Sequence, residues 1–279
     1  MDRFEQGTNI IVGTAAGISF VRFFVVAGPY VLVATALTLW IGSRHFAIRP
    51  LADDAAREAA ADLVAGFDEN DGIKSRGFFV FSAVMTGLFI VVIATTSVLP
   101  WVSDLGMGFV ALGFALVMLG RFRNDVNRFY QAVDWDLLGF FAALFMVINV
   151  MEHAGVLGAL GHALAWLIAL GDVAGTGLLL ASTALFSSVT DNIPLAAMLG
   201  KILTTLETPS DSALWWSVVF GANLGGNITP IGSASTLVAV TIMHKHKLPL
   251  SFTGFVAKAA PYAAVQLVLA TVYVLVFLR

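Results

Sequence analysis

Polar residues in this chain fall in a few short clusters, and the apolar stretches between them set the expected elements. Continuous apolar runs near 22–42, 77–99, 135–152 and 254–278 are each long enough to cross about 30 Å of hydrocarbon as a helix. Shorter or interrupted runs fall near 106–120, 155–170, 174–189, 195–206, 212–224 and 233–243. One interruption differs from the others. The stretch 221–236, GANLGGNITPIGSAST, crowds Gly, Pro, Asn, Thr and Ser between apolar flanks. It cannot continue a lipid-facing helix, because each freed N–H or C=O in hydrocarbon costs several kcal/mol. It predicts a helix over 212–243 that is broken at depth, its backbone lining something polar, as where transporters hold ions or substrates.

Lys and Arg in the polar clusters orient the runs. Arg44, Arg49, Arg57, Lys74 and Arg76 place 44–76 on the cytoplasmic side, as do Arg121, Arg123 and Arg128 for 121–134, and His244, Lys245, His246 and Lys247 for the third cluster. The loop 101–106 has neither Lys nor Arg and is expected outside. Within 44–76, Leu51, Ala55, Ala59, Leu63 and Phe67 recur at helical spacing. They predict an amphipathic linker helix lying on the membrane or against the spans. With both later basic clusters inside, the runs between 155 and 243 must cross an odd number of times. The economical solution lays 155–170 at the outer interface, folds 174–206 into a hairpin that enters and returns, and lets 212–243 cross once. The hairpin tip, Thr190, Asp191, Asn192, Ile193 and Pro194, then reaches the depth of the break.

The chain also repeats itself. At a constant offset of 232, Ser19, Phe20, Phe23, Ala27, Pro29, Tyr30, Val33 and Leu37 match Ser251, Phe252, Phe255, Ala259, Pro261, Tyr262, Val265 and Leu269. Allowing a short insertion, TNIIV at 8–12 aligns with STLVA at 235–239, directly after the polar break. The loop charges send the two copies across the membrane in opposite directions, an inverted repeat of the kind secondary transporters use. The expected organisation is the end of a first repeat in 1–43, a linker in 44–76 and a second repeat in 77–279. About 150 residues of the first repeat, with its own hairpin and half of its broken helix, are then expected to be missing from the sequence.

Composition narrows the class. The chain is 58% hydrophobic and only 12% charged, against roughly 25% charged in soluble domains, and its mean hydropathy is +0.89. It is expected to be an all-α polytopic membrane protein of the plasma membrane. A net charge of -3, with Lys and Arg limited to a few short loops, gives nucleic acid no footprint, and the absence of Cys excludes disulfides and thiolate metal sites. MDRFEQGTNII lacks the basic start and apolar core of a signal peptide. No HExxH, phosphate loop or GxSxG motif is present, so no enzyme is expected. A Ser233–His244 dyad fails because a helix would hold the two about 15 Å apart.

Four segments carry a family resemblance: SSVTDNIPLAAM, GANLGGNITPIGSASTL, NIIVGTAAGISFVRF and VDWDLLGFFAALFMVINVMEHAGVL. Together they resemble the ion transporter superfamily of arsenite permeases, NhaD-type sodium/proton antiporters and citrate or divalent anion permeases. The resemblance implies a homodimer of inverted-repeat protomers with paired re-entrant hairpins, in which a transport domain moves like an elevator against a scaffold. It carries the hairpin-tip motif onto Thr190, Asp191, Asn192 and Pro194. The broken-helix motif falls on Asn223, Gly225, Gly226, Asn227, Thr229, Pro230, Gly232 and Ser233. Citrate and dicarboxylate members have an uncharged Ser-Asn-Thr tip, so the acid at 191 resembles the arsenite and NhaD-type branches instead.

Asp191 is the leading candidate, since a carboxylate deep in a membrane is expensive and by default functional. It would carry a proton or bind a cation, and it also stands where an N-cap is needed. Asn192, Asn223 and Asn227 offer amide oxygens to a hard cation, with Thr229 and Ser233 as further oxygen donors. Asp191, Asn192, Asn227 and Thr229 are the expected sodium ligands, and no other cofactor is implied. Gly225, Gly226 and Gly232 are read as geometric, permitting unwound backbone and close approach. Glu152 and His153 are read as an interfacial pair facing water, Asn149 as a bridge between helices, and Lys201 and Lys258 as snorkelling. The six Trp residues are read as interfacial belts. The expected function is secondary transport of a small inorganic ion coupled to protons or sodium. A non-transporting half-subunit and a citrate or divalent anion permease are the alternatives.

Overall fold

Each apolar run forms a helix, and among the described residues there is no strand. The computed structural model describes residues 6–47, 53–67, 73, 75–96, 106–133, 135–248 and 250–278. Leu51, Arg49, Lys74, the loop 101–105 and the MDRFE start lie outside them.

The helices are α1 (Gln6–Ala15), α2 (Phe20–His45), α3 (Asp54–Ala65), α4 (Arg76–Thr95), α5 (Gly106–Arg121), α6 (Val126–Ala132), α7 (Trp135–His153), α8 (Val156–Ile168), α9 (Asp172–Ser187), α10 (Asn192–Thr205), α11 (Ala213–Gly225), α12 (Ala234–Lys245) and α13 (Phe252–Phe277). Helices α2, α4 and α13 are long and apolar enough to span a membrane, and α7 with α8 passes the same test as one element bent by 78°. The bend sits at Gly155, whose φ of 76° places it in the left-handed region glycine tolerates. Serine side chains start several helices by accepting a backbone N–H. Ser75 caps α4, Ser212 caps α11, Ser233 caps α12 and Ser251 caps α13.

Contacts divide the chain into two compact units. The first holds the residues up to Tyr30 and those after residue 133. Its core lies between α9 and α11, with Leu179, Leu180, Ala184, Val218 and Ala222 almost fully buried. Helix α10 and helix α13 flank that pair, and α1 packs on α10 and α11. Trp215 and Trp216 are also buried here, which corrects the reading of these two as interfacial belts. Trp215 Nε1 donates to Pro209 O at 2.9 Å, and the Trp216 ring packs against Phe23. A buried donor with a fixed acceptor satisfies the indole without the headgroup layer.

Helices α2 and α13 span equal lengths at the sequence offset of 232, and each contains a proline followed by tyrosine. Tyr30 Oη reaches Gln266 O at 3.1 Å, while Tyr273 Oη donates to Val26 O at 2.7 Å. Moving back along α2 moves forward along α13, so the two helices cross antiparallel.

The second unit, residues 31–133, holds the rest of α2 with α3, α4, α5 and α6. Helices α4 and α5 pack through aromatic edges, with Phe89 against Phe114 at 5.4 Å, and the Arg121 guanidinium stands 5.2 Å from the Phe122 ring. No residue of α4 is buried. Such exposed apolar surface suits hydrocarbon rather than water.

Candidate functional site

Helices α9 and α10 are joined by the turn 188–191, and α11 and α12 by the non-helical segment 226–233, in the two stretches where a hairpin and a broken helix are expected. Glycine brings them together. A Cβ on Gly221 would stand 2.7 Å from Leu180 O, and one on Gly225 would overlap the Ala184 backbone. Ser217 continues this small-residue stripe one turn earlier, and its Oγ donates to Thr176 O at 3.1 Å. Small residues four apart let two helix backbones approach where lipid supplies no hydrophobic drive.

Within the break, a Cβ on Gly232 would lie 2.7 Å from Gly226 O and 3.0 Å from Ser187 O, so the segment folds back on itself and against the end of α9. None of these glycines has positive φ. They are needed for space, which corrects the part of the expectation that assigned them conformational freedom. Pro230 lacks an N–H, and Gly226 O, four residues earlier, faces Gly232 instead of a helical donor.

Polar side chains bond backbone carbonyls at the break and in the turns before it. Ser187 Oγ donates to Ala222 O at 2.6 Å, Asn227 Nδ2 to Asn223 O at 3.2 Å and Asn223 Nδ2 to Val219 O at 2.7 Å. Thr229 Oγ1 donates to Ser188 O and accepts from Ile231 N at 3.3 Å, tying the break to the hairpin turn. Ser233 Oγ accepts from Thr236 N at 3.3 Å as the cap of α12 and meets Ser235 Oγ at 2.9 Å. The hydroxyls of Thr229 and Ser233 are therefore committed to structure.

Other oxygens are not. Asp191, half-buried, caps α10 by accepting Ile193 N on Oδ1 at 3.1 Å; its second oxygen takes part in no hydrogen bond among the described residues. The same holds for Oδ1 of Asn223 and of Asn227, and for the amide of buried Asn192. Among the described residues no cluster of three His, Asp or Glu could hold a metal ion. Any cation here would rest on one carboxylate and neutral amide oxygens.

Sequence reasoning missed Asn9. Its Oδ1 accepts from Asn223 Nδ2 at 2.8 Å. Two residues earlier, Gly7 lies against Ile193 in the first turn of α10. Helix α1 thus touches both the hairpin and the broken helix. The available signal was the repeat, which sets Asn9 opposite Thr236, a polar position inside each short apolar helix.

Thr190 and Pro194 face elsewhere. They line a cavity of about 490 Å³ between α7, α8, α9 and α10 that is walled almost entirely by apolar side chains. Thr190 Oγ1 donates to Phe186 O at 2.8 Å. Lys201, read as snorkelling, pairs with Glu152 at 3.3 Å, and both side chains stay partly exposed. His153 Nδ1 lies 2.9 Å from Asn149 O, and the exposed Asn149 side chain makes no bridge among the described residues.

An apolar helical chain with several helices of membrane-spanning length belongs to the class of integral, multi-pass membrane proteins. The comparisons agree and narrow it. Residues 6–221 match the family described as Citrate transporter, and the chain belongs to that family, within the ion transporter superfamily. It is 31% identical to an uncharacterised transporter of Mycobacterium tuberculosis over 273 residues, covering 95% of this chain and 61% of that protein. An uncharacterised transporter of Synechocystis is 32% identical over 57% of this chain and 40% of its own length. The P protein of Homo sapiens is 30% identical over 62% of this chain and 22% of its own length. The chain spans about three-fifths of the length of the mycobacterial relatives. No solved structure matches it. Family and relatives point to a transporter and not to an enzyme.

Proposed function

We propose that this chain contributes an ion site to a secondary transporter that moves a small inorganic ion across the plasma membrane, coupled to protons or sodium. The observation that carries this reading is the set of uncommitted oxygens, Asp191, Asn192, Asn223 and Asn227, on two segments that Ser187 and Thr229 tie together. A hard cation prefers such oxygens. Asp191 is the coupling acid, neutral when it carries a proton and anionic when it holds a cation. The antiparallel crossing of α2 and α13 supports the inverted-repeat organisation. By resemblance, the working unit is a homodimer that moves in an elevator-like way.

A citrate or divalent anion substrate is the second reading, favoured by the description of the family. Against it, 187–195 and 221–236 contain no Lys or Arg, and the one charge there is Asp191. The test is flux in proteoliposomes under imposed sodium or pH gradients, for the wild type and Asp191→Asn. Cation-coupled flux that the Asn variant abolishes supports the reading. Equal flux in both removes Asp191 from the mechanism, and uptake of labelled citrate without inorganic-ion exchange favours the second reading.

A further inference from the structure

The Asn223 side chain holds more information than its place in a motif. Its Nδ2 has two hydrogens, and both are engaged, one by Val219 O at 2.7 Å and one by Asn9 Oδ1 at 2.8 Å. Val219 O can only accept, so the amide cannot be flipped; the reverse orientation would set two acceptors against each other. Asn223 Oδ1 is therefore turned away from its own helix and from α1, and among the described residues nothing donates to it. One turn later, Asn227 repeats the pattern, its Nδ2 on Asn223 O and its Oδ1 uncommitted.

Asn223 thus spends both of its amide N–H groups and Asn227, in the segment just after the helix, spends one, while both side-chain oxygens stay uncommitted. That polarity suits a cation and disfavours an anion, which would need the donors. Only one of the contacts that set it comes from outside the broken helix. Asn9 is delivered by α1, which Gly7 seats against Ile193 just after the Asp191 cap.

We propose that Asn9 is a positioning residue of the ion site, holding the Asn223 amide so that Asn223 Oδ1 faces a small cation. The inference rests on the cation-coupled reading of the site and extends it to a helix outside both motifs. Its loss leaves the Asn223 amide held by Val219 O alone, less tightly fixed, and weakens cation binding without removing a ligand.

The experiment measures thermal unfolding of the purified chain in detergent against sodium chloride, with choline chloride keeping ionic strength constant. Wild-type protein is expected to be stabilised by sodium with a defined half-saturating concentration. Asn9→Leu raises that concentration about tenfold, the scale of one lost hydrogen bond, whereas Asn9→Asp, which keeps the acceptor, leaves it at or below the wild-type value. Asn223→Ala removes the response, and adding Asn9→Leu to it changes nothing further. Val12→Ala, at a fully buried position of α1, lowers the midpoint in choline but leaves the sodium dependence unchanged. If Asn9→Leu does not give folded protein, Asn9→Ala carries the same expectation. A wild-type sodium dependence in Asn9→Leu, or an equal shift in Val12→Ala, overturns the positioning role alone. A wild type that does not respond to sodium removes sodium as the bound cation and overturns the inference, while the proton-coupled form of the proposed function is decided by the flux assay.

Discussion

Asp191 holds two roles at one position, and its chemistry lets them be separated. Asn caps a helix about as well as Asp, whereas Ala loses about 1 kcal/mol. Asp191→Asn is therefore expected to keep the thermal midpoint in detergent while losing coupled flux, and Asp191→Ala to lose both. A fall in midpoint for the Asn variant as large as for Ala would show that the charge itself stabilises the fold. Thr229 makes the complementary case. Thr229→Val strips the donor from Ser188 O and should destabilise by about 1–3 kcal/mol, while Thr229→Ser keeps the hydroxyl and should recover most of it in the same unfolding assay. Both positions were legible as polar groups at depth. That the hydroxyl of Thr229 is occupied and the second oxygen of Asp191 is not could be seen only once their neighbours were placed.

At the scale of elements, apolar length predicted the apolar helices to within a few residues. Helix α9 begins at Asp172 and α12 at Ala234, close to the runs at 174 and 233. The pattern could not tell lipid-facing from buried helices, because both are apolar all round. Trp215 and Trp216 were misread for that reason. The stripe Ser217, Gly221 and Gly225 marks the buried face of α11, where the side chains are smallest. Gly225→Ala should prevent α9 and α11 from closing, giving a loss of folded protein on size-exclusion chromatography in detergent. Gly87→Ala, in open space on α4, should leave the profile unchanged or gain up to about 1 kcal/mol of helix stability. Equal behaviour of the two variants would mean that the close approach is not needed for folding.

For the whole molecule, the absence of Cys allows direct mapping of sidedness by single-cysteine labelling in intact cells. Glu58→Cys in α3 and His246→Cys after α12 are expected to react only after permeabilisation, and Asp211→Cys before α11 to react from outside. Labelling of residues 58 and 211 from the same side would reject the inverted arrangement. The basic clusters make this order readable from sequence, because Lys and Arg resist translocation wherever they fall.

The sequence by itself determined the membrane-embedded helical class, the order of the apolar helices, the places where they are interrupted, and the family. Hydrophobic length and helix-breaking residues act locally, so a linear reading recovers them. Only the tertiary structure decided which polar atoms remain available. Asn9 meets Asn223 across 214 positions of chain, and Ser187, Ser188 and Thr229 consume their hydroxyl donors at the seam between hairpin and break. Hydrogen-bond satisfaction inside a membrane is settled between elements, because each exposed backbone group takes the nearest donor whatever its place in the sequence.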